Sequence, residues 1–166
     1  MGKIMKQGRV VIVLAGRHAG KKAVVVRHFD EGKKDKKAKF AQALVAGVER
    51  YPLKVTKRMS SKRIEKRSRL KAFVKTVNYN HLLPTRYMLN QDFEFKGVVS
   101  DDKLQKIPAK KATMSADDKQ AREDALKSRK TMKQEVRKLF QEKYKQPRDK
   151  ADKTNHVGFF FKKLRF

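Results

Sequence analysis

The charge of this chain limits what it can fold into, because 45 lysines and arginines stand against only 17 aspartates and glutamates. The formal net charge is +28. Like charges at this density repel one another in a compact chain, and ordinary domains keep only as much net charge as solubility requires. Residues 1–90 hold 24 of the bases but only five of the acids. We therefore expect a polyanion, bound mainly to this part of the chain, to belong to the working structure.

The composition argues against several classes of protein. Apolar residues make up 39% of the chain, below the usual value of about 45–50%, so the core should be modest. There is no cysteine, which excludes disulfides and thiolate metal sites and fits a reducing, intracellular compartment. The apolar run 10–16 is too short for a signal peptide and has no cleavage region. No run approaches the roughly 18 apolar residues of a membrane-spanning helix.

The first half of the sequence predicts short β-strands. Two β-branched runs, Arg9–Ala15 and Lys22–Phe29, flank a glycine-containing loop and predict an antiparallel hairpin. A third run, Phe40–Tyr51, and the alternating pattern of Ala72–Tyr79 predict two more strands. Short strands joined by glycine turns are typical of a small β-barrel.

The second half predicts one long helix over residues 115–147. Ser115 suits the N-cap position, and Pro147 ends the helical pattern. The near-neutral segment 91–114 shows no sustained periodicity and is interpreted as a surface insertion or linker. Residues 148–166 form a basic, aromatic C-terminal tail. The apolar stripe of the helix consists of Met132, Val136, Leu139, Phe140 and Tyr144.

The basic run 57–71 is the strongest candidate for binding an anion. A helix beginning at its serines would place Lys62 beside Lys66 and would stack Arg63 on Arg67 in the same way. Each like-charged pair costs a few tenths of a kcal/mol in an isolated helix. Phosphates would remove that repulsion and accept charge-assisted hydrogen bonds. The alternative is a solvated, partly disordered linker.

The sequence offers no basis for catalysis. The loop GRHAGKK differs from a phosphate-binding P-loop in its spacing, and Lys22 stands where a Mg²⁺-binding Ser or Thr is required. The four histidines lack metal-ligand spacing, and no nucleophile is paired with a base. We predict no catalytic residue, no metal site, no cofactor and no small-molecule substrate.

The tail FFFKKLRF, residues 159–166, mixes aromatic rings with cations. If it were a strand, neither face would be purely apolar, and a membrane-surface anchor would separate the rings from the charges. RNA presents an anionic backbone beside flat bases, so it can use both residue types at once. The alternative is that the phenylalanines dock on the protein itself while the cations face solvent.

Several segments resemble known protein families. The stretch GRVVIVLAGRHAGKKAVVVRHF is similar to a KOW motif, the glycine-hinged strand pair of small SH3-like barrels. Three stretches, ALVAGVERYPLKVT, KRSRLKAFVKTVNYNHLLPTRY and FFFKKLRF, resemble the family of the eukaryotic large-subunit ribosomal protein L twenty-seven. The resemblance covers residues 1–90 and 120–166. Segments 91–114 and 149–156 run longer than the family pattern, so no family role is carried over to them.

The resemblance implies a mainly β fold with α, built from a small SH3-like (KOW) β-barrel at the N-terminus, basic extensions and a long C-terminal helix. It also implies a structural constituent of the large subunit of the cytoplasmic ribosome, assembled in the nucleolus, whose partners are large-subunit rRNA and neighbouring ribosomal proteins. The RNA-binding residues it implies are Arg17, His18, Lys21 and Lys22 in the first loop; Lys57, Arg58, Lys62, Arg63, Lys66, Arg67, Arg69 and Lys71 in the basic run; Asn80, His81 and Arg86; and Phe160, Lys162, Lys163, Arg165 and Phe166 in the tail.

Three other functions use some of the same features. A KOW-containing transcription-elongation or chromatin factor would present a similar barrel to nucleic acid, but would sediment with chromatin rather than with ribosomes. A membrane-surface protein would bind anionic vesicles through its tail. An enzyme acting on RNA would need an acid, base or metal cluster, which the sequence does not show.

Overall fold

The computed structural model of the protein describes residues 4–29, 40–89, 93, 95, 98–99, 116–146 and 156–164. Its elements in chain order are β1 (Arg9–Val13), β2 (Lys22–Phe29), β3 (Gln42–Arg50), α1 (Ser61–Ser68), β4 (Lys71–Asn78), a 3₁₀ turn (Tyr79–His81), β5 (Leu82–Met88), α2 (Ala116–Lys145) and α3 (His156–Phe161).

The five strands form one antiparallel sheet in the order β4-β3-β2-β1-β5. The four predicted strands are all present. Strand β5 was not predicted from the sequence. In the structure Pro84 lies opposite Val11 on a strand at the edge of the sheet, where a missing N–H is tolerated.

The small β-barrel expected from the sequence is not closed among the described strands. The 3₁₀ turn joins β4 directly to β5, but β5 pairs with β1 and therefore lies at the opposite edge of the sheet from β4. The sheet is open, and the fold is a five-stranded antiparallel sheet combined with helices.

Apolar side chains pack on both faces of this sheet. On the first, which we call the helix-covered face, Val10, Val24 and Leu44 pack with side chains of α2 and α3. On the opposite face, the neighbouring strand residues Val11 and Val25 pack in a second cluster. The two-residue period of the strands therefore divides the apolar side chains between two cores.

The long helix predicted over 115–147 is confirmed as α2. Its predicted stripe faces the sheet, with Met132, Val136 and Phe140 buried and Leu139 and Tyr144 partly buried against the same cluster. The predicted division into segments 1–90, 91–114, 115–147 and 148–166 is not tested by these contacts and stays a prediction.

The interpretation of segment 91–114 as a surface insertion or linker needs correction. Phe93, Phe95 and Val99 are buried in the core of the helix-covered face. The ring of Phe93 lies 5.1 Å from that of Phe140 and 5.7 Å from that of Phe160, measured between centroids. The other residues of the segment, apart from Val98, lie outside the described residues.

The C-terminal tail does not continue as a strand. Residues 156–161 form α3, and Phe160 and Phe161 are 0% and 4% exposed. The ring of Phe160 fills the core beside Phe140, and its contact with RNA stays a prediction. The structure shows that these two rings dock on the protein itself.

Gly47 of β3 tests how tightly this sheet is packed. A Cβ at this position would lie 2.6 Å from the carbonyl oxygen of Lys22 and from two ring carbons of Phe73. Gly47→Ala should therefore lower the free energy of unfolding by about 1–3 kcal/mol. Denaturant unfolding of the full chain measures this, with Thr76→Ala at an exposed position of β4 as the control. Equal unfolding midpoints for the two variants would contradict the packing described.

Candidate nucleic-acid interface

The basic run 57–71 folds around helix α1, in agreement with its serine start. Ser60 occupies the N-cap with an extended backbone, and the first turn holds no acidic residue. Lys62, Arg63 and Lys66 are exposed, while Glu65 pairs with Arg69 at 3.2 Å. Since such an exposed i, i+4 pair contributes only a few tenths of a kcal/mol, it offsets little of the repulsion among the bases.

The C-terminal end of α1 is fixed to the body of the protein. Arg67 donates from Nε to the carbonyl oxygen of Lys54 at 2.8 Å, and its own carbonyl oxygen accepts from the backbone N–H of Leu53 at 2.8 Å. Leu70, just beyond the helix, is buried in the core. Arg67 therefore helps to hold α1 in place, and the remaining bases face outward.

Strand β4 extends this cationic surface towards the β1–β2 loop. Lys71 and Lys75 are exposed, and Lys71 pairs with Glu49 at 3.3 Å. The Nζ of Lys75 lies only 3.7 Å from where a Cβ on Gly16 would be, so the loop crosses close to β4. We call the exposed bases of α1 and β4, together with Arg17 of the loop, the α1–β4 surface.

Lys75 was missed by the sequence analysis. The alternation of Phe73 and Val77 identified β4 as half-buried but gave no reason to single out the lysine between them. The contact with the β1–β2 loop, 59 residues earlier in the chain, is what makes Lys75 part of the surface.

The predicted loop residues divide between surface and interior. Arg17 is exposed, and Lys21 is half-buried with its Nζ 5.6 Å from the centroid of the Tyr51 ring. His18 is only 5% exposed and stacks flat on Phe73, with centroids 4.0 Å apart and an interplanar angle of 2°. Burial lowers the pKa of His18, so the neutral ring belongs to the core. The RNA contact expected of His18 stays a prediction.

Lys22 is also buried, at 1% exposure, and its RNA contact likewise stays a prediction. Its Nζ donates to the carbonyl oxygens of Phe159 and Lys162. The same nitrogen lies 3.8 Å from the centroid of the Phe159 ring, and the backbone N–H of Lys22 donates to the hydroxyl oxygen of Tyr51 at 2.9 Å. This ammonium therefore fastens α3 to the start of β2.

The pKa of Lys22 reflects this environment. Burial, and to a lesser extent the nearby charge of Lys162, together lower the pKa from 10.5 to about 8. The side chain is therefore still mostly an ammonium at neutral pH. The two carbonyl oxygens and the face of an aromatic ring are groups that favour a cation.

The remaining predicted residues occupy three places. Lys57 and Arg58 are exposed in the turn before α1 and adjoin the α1–β4 surface. The exposed group at the other edge of the sheet consists of Asn80, His81 and Arg86. In the tail, Lys162 and Lys163 are exposed beyond α3, whereas Arg165 and Phe166 lie outside the described residues. These RNA contacts stay predictions.

Two further properties concern the described part of the chain alone. Within it, no three His, Cys, Asp or Glu side chains come together in a way that could hold a metal ion. None of its helices combines the length and the apolar character needed to cross a membrane.

The family of the chain follows from its similarity to known proteins. Residues 10–132 match the Ribosomal L27e protein family. The chain belongs to that family. It is 46% identical to a protein named large ribosomal subunit protein eL27 from Tetrahymena thermophila, and 45% and 44% identical to proteins of the same name from Pyrobotrys stellatus and Caenorhabditis elegans.

Each of these alignments spans 166 residues and 100% of both chains. The expectation that segments 91–114 and 149–156 are longer than in other members of the L27e family is therefore wrong. Buried Phe93, Phe95 and Val99 give the first of these segments a structural role.

The contacts of Lys22 predict that Lys22→Met will loosen α3. Methionine preserves most of the apolar stem but leaves two carbonyl oxygens without this donor, which costs about 1–3 kcal/mol. Hydrogen exchange of the α3 amides should accelerate about tenfold for each 1.4 kcal/mol lost. The neighbouring change Lys21→Met is the matched control and should leave this exchange nearly unchanged. Equal exchange in both variants would contradict the role given to Lys22.

The lowered pKa of Lys22 predicts a dependence of stability on pH. Because the folded chain binds this proton more weakly than the unfolded chain, the contribution of Lys22 to the free energy of unfolding rises from about pH 8 to 10.5. The neutral amine keeps its N–H donors and avoids the cost of a buried charge. Denaturant unfolding across this range should show a steeper rise in the wild type than in Lys22→Met. If the free energy of unfolding rises equally with pH in both proteins, the pKa of Lys22 is not lowered.

Proposed function

We propose that this chain is a structural constituent of the large ribosomal subunit and that it binds ribosomal RNA through the α1–β4 surface. The observation that carries the RNA-binding part is the outward row of Lys62, Arg63 and Lys66 on a helix with little acidic compensation. The names of the L27e relatives support the ribosomal part.

Neutralisation of phosphates is the main source of affinity in this proposal. Bases that contact the RNA backbone release condensed counterions, so the logarithm of the binding constant falls by about 0.7–0.9 for each tenfold increase in salt and each phosphate contacted. Duplex RNA is recognised largely by shape and by its backbone and 2′-hydroxyls. The α1–β4 surface is a set of cations on an ordered helix and strand, which suits recognition of the backbone rather than of base sequence.

The proposal extends to the fold type, the location and the partners of the protein. The β1–β2 hairpin, with positive φ angles at Gly16 and Gly20, supports assignment of this part to the KOW type despite the open sheet. The protein acts in the cytoplasmic ribosome after assembly in the nucleolus, beside other ribosomal proteins, and has no catalytic role. A transcription or chromatin factor is less favoured because the relatives carry ribosomal names.

The triple variant Lys62→Gln, Arg63→Gln and Lys66→Gln tests the proposal. Removing three phosphate contacts should reduce the log–log salt slope of rRNA binding by about 2 to 3, while the fold remains intact. Filter binding of the full chain to large-subunit rRNA measures the slope. In cells, the tagged variant should be depleted from large subunits in sucrose gradients.

The matched control removes the same charge from α2 through Lys130→Gln, Arg137→Gln and Lys138→Gln, all at exposed positions. It should change the slope less than the α1 variant. Equal losses would mean that the binding depends on total charge and not on α1. A wild-type chain that sediments with chromatin and not with ribosomes would overturn the proposal itself.

A further inference from the structure

We propose that Lys22 is a positioning residue that joins the C-terminal segment and the β1–β2 loop into a second RNA-binding surface. Its members are Lys21 in the loop and Lys162 and Lys163 in the tail. The inference rests on the proposed function and adds to it a site built around a residue that itself does not touch the ligand.

The position of the tail depends on contacts made by one ammonium group. Lys22 donates to the carbonyl oxygen of Phe159 inside α3 and to that of Lys162 just beyond it. Cations at the C-terminal end of a helix are favoured by its partial negative charge. The Phe159 ring adds a second hold, because it lies under the ammonium and stacks on Tyr87 with centroids 4.0 Å apart.

This docking brings two acid-free segments together. Neither residues 14–21 of the loop nor residues 156–164 contain an aspartate or glutamate. The charge of Lys162 is close enough to depress the pKa of Lys22, although the two are 140 residues apart in sequence. Lys162 and Lys163 are exposed, and the carbonyl oxygen of Lys162 contacts Lys22 where the loop returns into β2. The cations of both segments are thereby held near the start of β2, the central strand of the sheet.

Exposed apolar side chains lie on the same face of the sheet as Lys22. Ile12 pairs with Lys22 on one side and with Leu83 on the other, which places the three side chains in one row across β2, β1 and β5. Leu83 is 49% exposed, and Leu14, two residues beyond Ile12 on the same face, is 53% exposed. Cations beside exposed apolar groups suit a ligand with anionic phosphates and apolar sugar and base surfaces, which is the chemistry of RNA.

The test asks whether the contribution of the tail depends on Lys22. The double change Lys162→Gln and Lys163→Gln is made in the wild type and in Lys22→Met, and binding of the full chain to a short RNA hairpin is followed by fluorescence anisotropy at several salt concentrations. In the wild-type background the double change should reduce the log–log salt slope by about 1.4–1.8. In the Lys22→Met background the same double change should alter the slope little. The α1 triple variant is the control and should have the same effect in both backgrounds.

The possible outcomes separate this inference from the proposed function. If the double change Lys162→Gln and Lys163→Gln reduces the salt slope equally in both backgrounds, Lys22 does not position the tail. If this double change leaves the slope of the wild type unaltered while the α1 triple variant still lowers it, the second surface is wrong and the α1–β4 surface stands. If neither change has an effect, both proposals fail. Competition by polyglutamate as strong as that by RNA of equal charge would assign the surface to an acidic peptide instead.

A second variant covers the case in which Lys22→Met does not fold. Phe159→Leu removes the ring from both Lys22 and Tyr87 but leaves the ammonium and its carbonyl acceptors in place. It should reduce the effect of the tail change on the salt slope without altering that of the α1 change. An undiminished effect of the tail change in this background would also overturn the inference.

Discussion

The burial of both faces of the sheet is the constraint that arranges the rest of this molecule. Valines, leucines and aromatic rings fill the two cores, so a chain with a net charge of +28 has to place its cations at edges, turns and helix surfaces. The exposed bases of α1 and β4 follow from this division. The repulsion among them is tolerable because they face solvent, where charge is screened and a polyanion can approach.

Lys22 is the exception to this division, and the exception has a structural purpose. A buried ammonium is costly unless its hydrogen bonds are satisfied, and Lys22 finds its acceptors at the end of α3. One side chain thus connects the hairpin near the start of the sequence with the last helix. The hydrogen bond between the backbone N–H of Lys22 and the hydroxyl of Tyr51, just after β3, adds this residue to the same junction. The aromatic contacts of α3 with Tyr87 and Phe140 complete the attachment.

Local patterns in the sequence predicted local structure well and long-range contacts poorly. The β-branched runs located β1 to β4, and the apolar stripe located α2, because periodicity records which side of an element is buried. Strand β5 contains Pro84. Proline is tolerated in a strand only at the edge of a sheet, and which strand lies at the edge depends on the topology, which the local sequence does not show. The burial of His18, Lys22 and Phe160 depends on partners far along the chain. Each has at least one charged or aromatic neighbour in the sequence, so nothing local distinguished them from surface residues.

The attachment of α3 also has a consequence for how the protein is made. The acceptors of Lys22 lie 137 and 140 residues after it in the sequence. During synthesis from the N-terminus, a nascent chain can pair β1 with β2 long before these carbonyl groups exist. Until then the ammonium has to remain hydrated and one apolar face of the hairpin stays uncovered. Completion of the hydrophobic core is thereby delayed to the final stage of translation, and an incomplete polypeptide should expose that face to chaperones.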